Sequence, residues 1–301
     1  LAHLALVGPT ASGKSALAME LARRHDGVEL ISVDSMQVYR GMDIGTAKPS
    51  TAEQREVRHH LIDLAEPDER FTVGRFRAAA QQALRDVEQR GHVAVLVGGT
   101  GLYLQAVIGD LDPPGDWPDV RATVEAEPDT DALYRRLVDV DPAAAVRMEP
   151  TNRRRIVRAL EVYEGSGRPF SSFGPGVDAY PETDRFVLAG VWLPRAVVAE
   201  RIARRVREMV GAGLIDEVRA LAGRLGPTAR QALGYKEFLA HLEAGFGQDE
   251  AVDQTIRRTR AFSVRQRRWF RRDPRIRWFG TGRNPVALLP GLLRELQQCH
   301  P

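Results

Sequence analysis

Residues 3–7, HLALV, open the chain with a short continuous apolar run, and comparable runs follow as VELISV at 28–33, VAVLV at 93–97 and FVLAGVW at 186–192. Runs of this length without polar alternation predict strands buried on both faces. Between them, SALAMELARRH from residue 15 and RFRAAAQQALRDVEQR at 75–90 repeat apolar positions at helical spacing. Strand, helix and strand in this order predict an α/β fold with a parallel sheet and sites at the carboxyl ends of its strands. The stretch DLDPPGDWP at 110–118 is rich in turn residues, and helical patterns follow at 119–127, 131–140 and 151–165. Residues 113–185 are therefore expected to be a mostly helical insertion, with 1–112 and 186–301 forming one α/β core. From residue 195 the chain reads as helix throughout, with basic amphipathic stretches at 195–223 and 249–272.

With 301 residues, 43% of them hydrophobic, the chain can bury a full core. No apolar run approaches the ~20 residues of a membrane span, and no basic leader precedes the first strand, so no membrane association and a cytoplasmic location are expected. The single cysteine, Cys299, excludes a disulfide framework or cysteine-based zinc site within one chain. A formal net charge of +3 does not by itself demand a nucleic-acid partner. Of 43 basic residues only Lys14, Lys48 and Lys236 are lysines. A compact ammonium and a planar guanidinium are not interchangeable, so these three positions point weakly to special roles.

Lys14 lies in GPTASGKS at 8–15, which has the spacing of a phosphate-binding P-loop. In such a loop the backbone amides of Gly8, Pro9's successor Thr10, Ala11, Ser12 and Gly13 cradle phosphate oxygens at a helix N-terminus. Lys14 neutralises the terminal phosphate, and the Ser15 hydroxyl ligates Mg2+. The strand before and helix after make the core P-loop NTPase-like. A nucleotide is less well supported: VAVLV ends in Gly98 and Gly99 rather than an acidic residue, and no guanine-reading NKxD occurs. The candidate carboxylate is Asp34, at the end of the second strand. A small-molecule kinase using ATP, with the insertion as its lid, stays open.

The segment SVDSMQVYRGMDIGTAKP at 32–49 resembles closely the signature of the tRNA dimethylallyltransferases. HHLID at 59–63, GGTGLY at 98–103, NRRRIVRALEV at 152–162, GLIDEV at 213–218 and QALGYKE at 231–237 follow in the family's order, and the three lysines fall in GKS, GTAKP and GYKE. The resemblance, which covers nearly the whole chain, implies transfer of a dimethylallyl group from dimethylallyl diphosphate to the exocyclic N6 amine of an adenine. That adenine lies immediately 3′ of the anticodon in tRNAs reading codons that begin with U. The P-loop, Gly8 to Ser15 including Pro9, would then hold a pyrophosphate leaving group rather than a nucleotide. The resemblance gives Asp34 as general base and Thr100 as a contact to the reaction centre. It places Ser35, Met36 and Gln37 at the adenine, and Arg121, Arg154, Arg155, Ile156, Val157 and Arg158 on tRNA. The segment Gln231, Ala232, Leu233, Gly234, Tyr235 and Lys236 is placed there too. A monomer is expected.

Blander readings stand beside these. Asp34 could be a structural or magnesium-linked carboxylate, Thr100 a helix N-cap, and RRRIVR a solvated helix face. Ile256, Phe262, Trp269 and Phe270 could be core residues of a basic helix, and His59 with His60 could be structural, since neighbours on a strand face opposite ways. A non-catalytic RNA-binding module and an enzyme prenylating free AMP, ADP or ATP are the other functions compatible with the motifs.

Overall fold

The computed structural model describes residues 2–109, 111–174, 176–245 and 247–299; the loop read from Asp110 is therefore described from Leu111. Two compact units emerge, Leu1–Leu104 with Tyr180–Pro301, and Gln105–Ala179. The smaller unit starts and closes earlier in the chain than the interval 113–185 expected from turn residues, because packing divides the chain within a helix rather than at the loop.

The larger unit is built on a six-stranded parallel sheet of β1 (His3–Val7), β2 (Val28–Val33), β3 (His59–His60), β4 (Val93–Gly98), β5 (Phe186–Trp192) and β6 (Arg277–Gly280), in spatial order β3-β2-β4-β1-β5-β6. The four apolar runs are its four central strands, and β1 and β2 are buried along their whole length. Helix α1 (Lys14–Arg24) follows β1, α2 (Thr51–Glu56) precedes β3, α3 (Val73–Gln89) leads into β4, and α4 (Gly101–Ile108) leaves it. In the smaller unit α5 (Pro118–Glu125), α6 (Thr130–Val140), α7 (Pro142–Ala145) and α8 (Arg153–Ser166) enclose a core of Val124, Leu133, Leu137, Ile156, Val157 and Leu160. The chain continues in the larger unit through α9 (Arg195–Gly211), α10 (Leu214–Leu221), α11 (Tyr235–Ala244), α12 (Gln248–Phe270) and α13 (Leu289–Cys299).

Two sequence expectations need correction here. The segment after 195 is not helical throughout, because RWFG at 277–280 pairs with β5 as an edge strand. It has no continuous apolar run to announce it, being half-exposed, and it is held by Trp278, which packs where a side chain on Gly190 would otherwise stand. The stretch 195–223 is two helices, since Gly213 adopts a left-handed φ of 102° between α9 and α10. Such a conformation is open to glycine at little cost.

Buried charge anchors the sheet on the amino-terminal side of β2. Glu29 is 3% exposed and accepts hydrogen bonds from Arg90 Nε at 2.7 Å and Nη2 at 2.8 Å, while His60 and His92 meet it at 2.6 and 2.7 Å. Burial alone would raise its pKa; these partners overcome that and hold it down at about 2. His59 Nδ1 lies 2.7 Å from the Val57 carbonyl. Both histidines of the HH pair are thus structural, as neighbours facing opposite ways on a strand should be.

Candidate active site

The carboxyl ends of β2, β4 and β1 lie side by side, and each delivers one sequence motif. From β1 the chain enters the glycine loop, where Ala11 (φ 61°) and Gly13 (φ 92°) are left-handed and Gly13 caps α1. Lys14 Nζ donates to the Pro9 carbonyl at 3.3 Å. A cavity of about 270 Å³ opens at the start of α1, lined by Ala11, Gly13, Lys14 and Ser15 together with Arg201, Arg204, Arg205 and Glu208 of α9. Arg201 Nε donates to the Ala11 carbonyl at 2.8 Å, tying α9 to the loop.

The electrostatics suit an anion. Although Lys14 keeps some exposure to the cavity, the protein around it strips water from the ammonium and lowers its pKa to about 8; Asp34 opposes that shift and Arg205 reinforces it. Burial likewise lowers the pKa of Arg205, whose charge Asp34 supports. Two desolvated cations thus share the field of Asp34, and Glu208 supports Arg205 as well. An incoming diphosphate would relieve both.

Asp34 stands at the end of β2, its Oδ1 accepting from the Met36 amide at 2.9 Å. Thr100, at the end of β4, accepts from the Ser35 amide through Oγ1 at 3.2 Å. The β2–β4 pairing and this bond bring Asp34 and Thr100 to one edge of the sheet. Burial pushes up the Tyr103 phenol, and Asp34 adds to the shift. Ser35 and Met36 are half-buried beside the carboxylate. The Gln37 amide accepts from Ser32 Oγ at 2.7 Å and donates to the carbonyls of Thr46 and Ala47 at 3.2 and 3.1 Å. It shapes the loop that follows the carboxylate.

That loop has further anchors. Lys48 donates to the Tyr39 carbonyl at 2.9 Å and to Asp43 and Asp63 at 2.5 and 2.6 Å. Glu217 of α10 accepts from the amides of Asp43, Ile44 and Gly45 at 3.0, 2.8 and 3.1 Å, and from the Tyr235 hydroxyl. The expected contact segment 231–236 therefore divides. Ala232, Gly234 and Tyr235 are buried and Leu233 half-buried, while Gln231 and Lys236 are exposed. Tyr235 is committed to Glu217, and the Gly234 amide to Glu237 Oε2 at 2.8 Å.

The smaller unit divides NRRRIVR in the same way. Ile156 and Val157 are core residues, while Arg154 and Arg155 are exposed on α8. Arg158 pairs with buried Glu161 at 2.7 Å and donates to the carbonyls of Pro114 and Gly115. Arg121 is shared between Glu125 at 2.9 Å and Glu161 at 3.6 Å. Arg153, by contrast, donates to the carbonyl of Glu125, the last residue of α5, and to those of Glu127 and Pro128 just beyond it.

Among the described residues no three His, Cys, Asp or Glu side chains converge as a metal site. Mg2+ needs only one or two protein oxygens when substrate phosphates supply the others. The Ser15 hydroxyl, on the cavity wall beside Lys14, fits that donor set.

Sequence reasoning missed Arg201, Arg205 and Gln266. The first two stand four apart on α9, a helical spacing that puts both on one face, but nothing local says which element that face meets. Gln266 sits inside the arginine run of α12, where charge hides it.

Residues 37–273 match the family model described as IPP transferase. The chain belongs to the IPP transferase family. A tRNA dimethylallyltransferase of Thermobifida fusca is 48% identical over 91% of this chain and 88% of its own length, and one of Bifidobacterium animalis is 43% identical over 96% and 84%. Among solved structures, the tRNA isopentenylpyrophosphate transferase of Bacillus halodurans is similar with a TM-score of 0.71 and 38% identity, covering 98% of this chain and 95% of that one. A eukaryotic dimethylallyltransferase acting on tRNA is similar with a TM-score of 0.77 and 26% identity, covering 93% and 74%. The family match, P-loop aside, spans the loop 43–48, the glycine-rich end of β4, the smaller unit and α12. No described helix is long and apolar enough to cross a membrane.

Proposed function

We propose that this chain transfers the dimethylallyl group of dimethylallyl diphosphate to N6 of the adenine immediately 3′ of the anticodon in tRNAs that read codons beginning with U. The observation that carries the reading is the meeting of a cationic phosphate loop with Asp34 and Thr100 at adjoining strand ends, in a chain of this family. In this reaction the allylic C–O bond breaks and a C–N bond forms. The electron pair of the broken bond leaves on pyrophosphate, and N6 gives up a proton.

Each part has a task on that reading. The loop amides, Lys14 and Arg205 hold the diphosphate and stabilise charge as it gathers on the bridging oxygen. Mg2+ held at Ser15 would add a further cation to the leaving group. Asp34 accepts the N6 proton, and general bases of this kind contribute about 10²–10⁴-fold. Thr100 orients the acceptor or the bridging oxygen. The adenine has to leave the anticodon stack to reach a strand-end site, which is easier from a loop than from a duplex. Arg154, Arg155, Gln231 and Lys236, exposed in their respective units, are the members of the expected contact set with side chains available to RNA.

The test is one assay with labelled dimethylallyl diphosphate, Mg2+ and unmodified tRNA, run beside AMP and beside ATP alone. Label on tRNA without ATP is the expected result. Label on AMP alone would move the chain to the free-nucleotide reaction, and ATP consumption without label would make it a kinase.

A further inference from the structure

The basic helix α12 carries a buried amide that the reaction above leaves without a task. Gln266 is 7% exposed. Its Oε1 accepts from the Thr10 amide at 2.8 Å, and its Nε2 donates to the Gly99 carbonyl at 2.9 Å. The orientation of the side-chain amide is fixed by its partners, because an N–H can only donate and a carbonyl can only accept. One end of the bridge is inside the phosphate loop. The other is the residue before Thr100.

The surroundings are fitted to this bridge. A methyl group on Gly99 would come within 2.3 Å of Gln266 Nε2, and one on Gly101 within 2.1 Å of the Trp269 indole nitrogen. Thr100 is thus flanked by two glycines against which α12 lies, one contact made by Gln266 and the other by Trp269 one turn later. Next in sequence, Arg267 donates to the Leu193 carbonyl at 2.7 Å and stacks over Trp192, which secures this turn of α12 to the end of β5. The helix is held from one side and grips two loops from the other.

We infer that Gln266 is a positioning residue that sets the spacing between the phosphate loop and Thr100, and hence between the leaving group and the acceptor side of the site. The inference rests on the proposed prenyl transfer for its kinetic consequence, but the bridge itself has a consequence for diphosphate binding alone. Reacting groups misplaced by about 1 Å can cost on the order of 10² in rate. Only a primary amide of this length satisfies both partners. Methionine fills the volume and satisfies neither; glutamate accepts from Thr10 but sets its charge against the Gly99 carbonyl.

The experiment compares wild type, Gln266→Met and Gly99→Ala, each with and without Thr100→Ala. Pyrophosphate binding is followed by calorimetry in the presence of Mg2+, and transfer to tRNA by label. Both single variants are expected to lower kcat by about 10- to 100-fold and to weaken pyrophosphate binding several-fold. In the Thr100→Ala background the further loss in kcat is expected to shrink, since residues acting as a unit are not additive. Gly99→Ala reaches the same bridge from the opposite partner, so the test survives if Gln266→Met fails to fold. A lowered melting temperature with kcat and pyrophosphate affinity unchanged, or losses that multiply independently with Thr100→Ala, would overturn the inference. Absence of transfer by wild type would reject the prenyl reading, and the pyrophosphate arm would still decide whether Gln266 orders the loop.

Discussion

If Lys14 meets the diphosphate as an ammonium, binding has to weaken with alkali earlier than an ordinary lysine would allow. The perturbation is pH. Burial depresses the Lys14 pKa to about 8 despite the support of Asp34, so the free protein gives up this proton well below the usual lysine range. A bound diphosphate favours the charged form and raises the pKa in the complex. Affinity is therefore full below about pH 8 and falls as pH rises through that value. Between about pH 7 and about pH 9 the protonated fraction drops roughly tenfold, equivalent to about 1.4 kcal/mol of binding free energy. The assay is calorimetric titration with dimethylallyl diphosphate, without acceptor and at constant Mg2+. The second phosphate ionisation lies near pH 6, so the ligand's own charge is steady over this range. Lys14→Met is expected to bind weakly at pH 7 and to lose most of the dependence. An affinity that stays level from pH 7 to 9 in wild type would refute the placement of this ammonium on the phosphates.

Three further outcomes follow from the same geometry. Asp34→Asn should lower kcat by about 10²–10⁴-fold with tRNA affinity retained, read from single-turnover labelling beside a filter-binding assay; unchanged turnover would reject the proton-accepting role. Glu29 contributes stability that is present above the unfolded pKa near 4.5 and is lost as pH falls towards about 2, a contribution of order 3 kcal/mol; Glu29→Gln should flatten the acid limb of a urea-denaturation series. Glu217→Ala removes the acceptor for three amides of residues 43–45 and should open that turn to proteolysis and cost about 2–4 kcal/mol, whereas Tyr235→Phe, which removes one of four donors to the carboxylate, should cost about 1 kcal/mol.

What the sequence made legible was local. A five-residue apolar run followed by a glycine loop at P-loop spacing needs no distant partner to be recognised, and β1, the loop and α1 lie where the pattern puts them. Asp34 at a strand end was legible for the same reason. Reading motifs as whole strings was less successful. In NRRRIVRALEV the helical period already separates Ile156, Val157 and Leu160 from Arg154 and Arg155, and the structure buries the first three while exposing the two arginines. In QALGYKE the side chain of Tyr235 closes against Glu217, 18 residues earlier, a partner that the string itself does not show. The edge strand β6 was missed because an edge strand needs no continuous apolar run; its register is set by β5, 85 residues away, counted from Trp192 to Arg277.

Lys48 shows how rarity can mark a position without saying what it does there. Its rarity among 43 basic residues marked it, and the position is indeed demanding. Its side chain is 3% exposed and its ammonium is spent on Tyr39, Asp43 and Asp63, so it braces the loop after Asp34. Arg205, one of many arginines and unmarked by composition, lines the cavity at the start of α1. The difference lies in sheet order. Parallel strands ending at one edge bring residues 13, 34 and 100 together by backbone pairing, and that much follows from recognising the strands. The helices that close over this edge, α9 and α12, arrive from the last third of the chain, and their docking is decided by packing. A lysine or arginine gains its meaning there from the neighbour it meets: Asp43 and Asp63 turn Lys48 into a brace, while Lys14, Arg201, Arg204 and Arg205 line one cavity with Glu208, an excess of positive charge that an anion would complete.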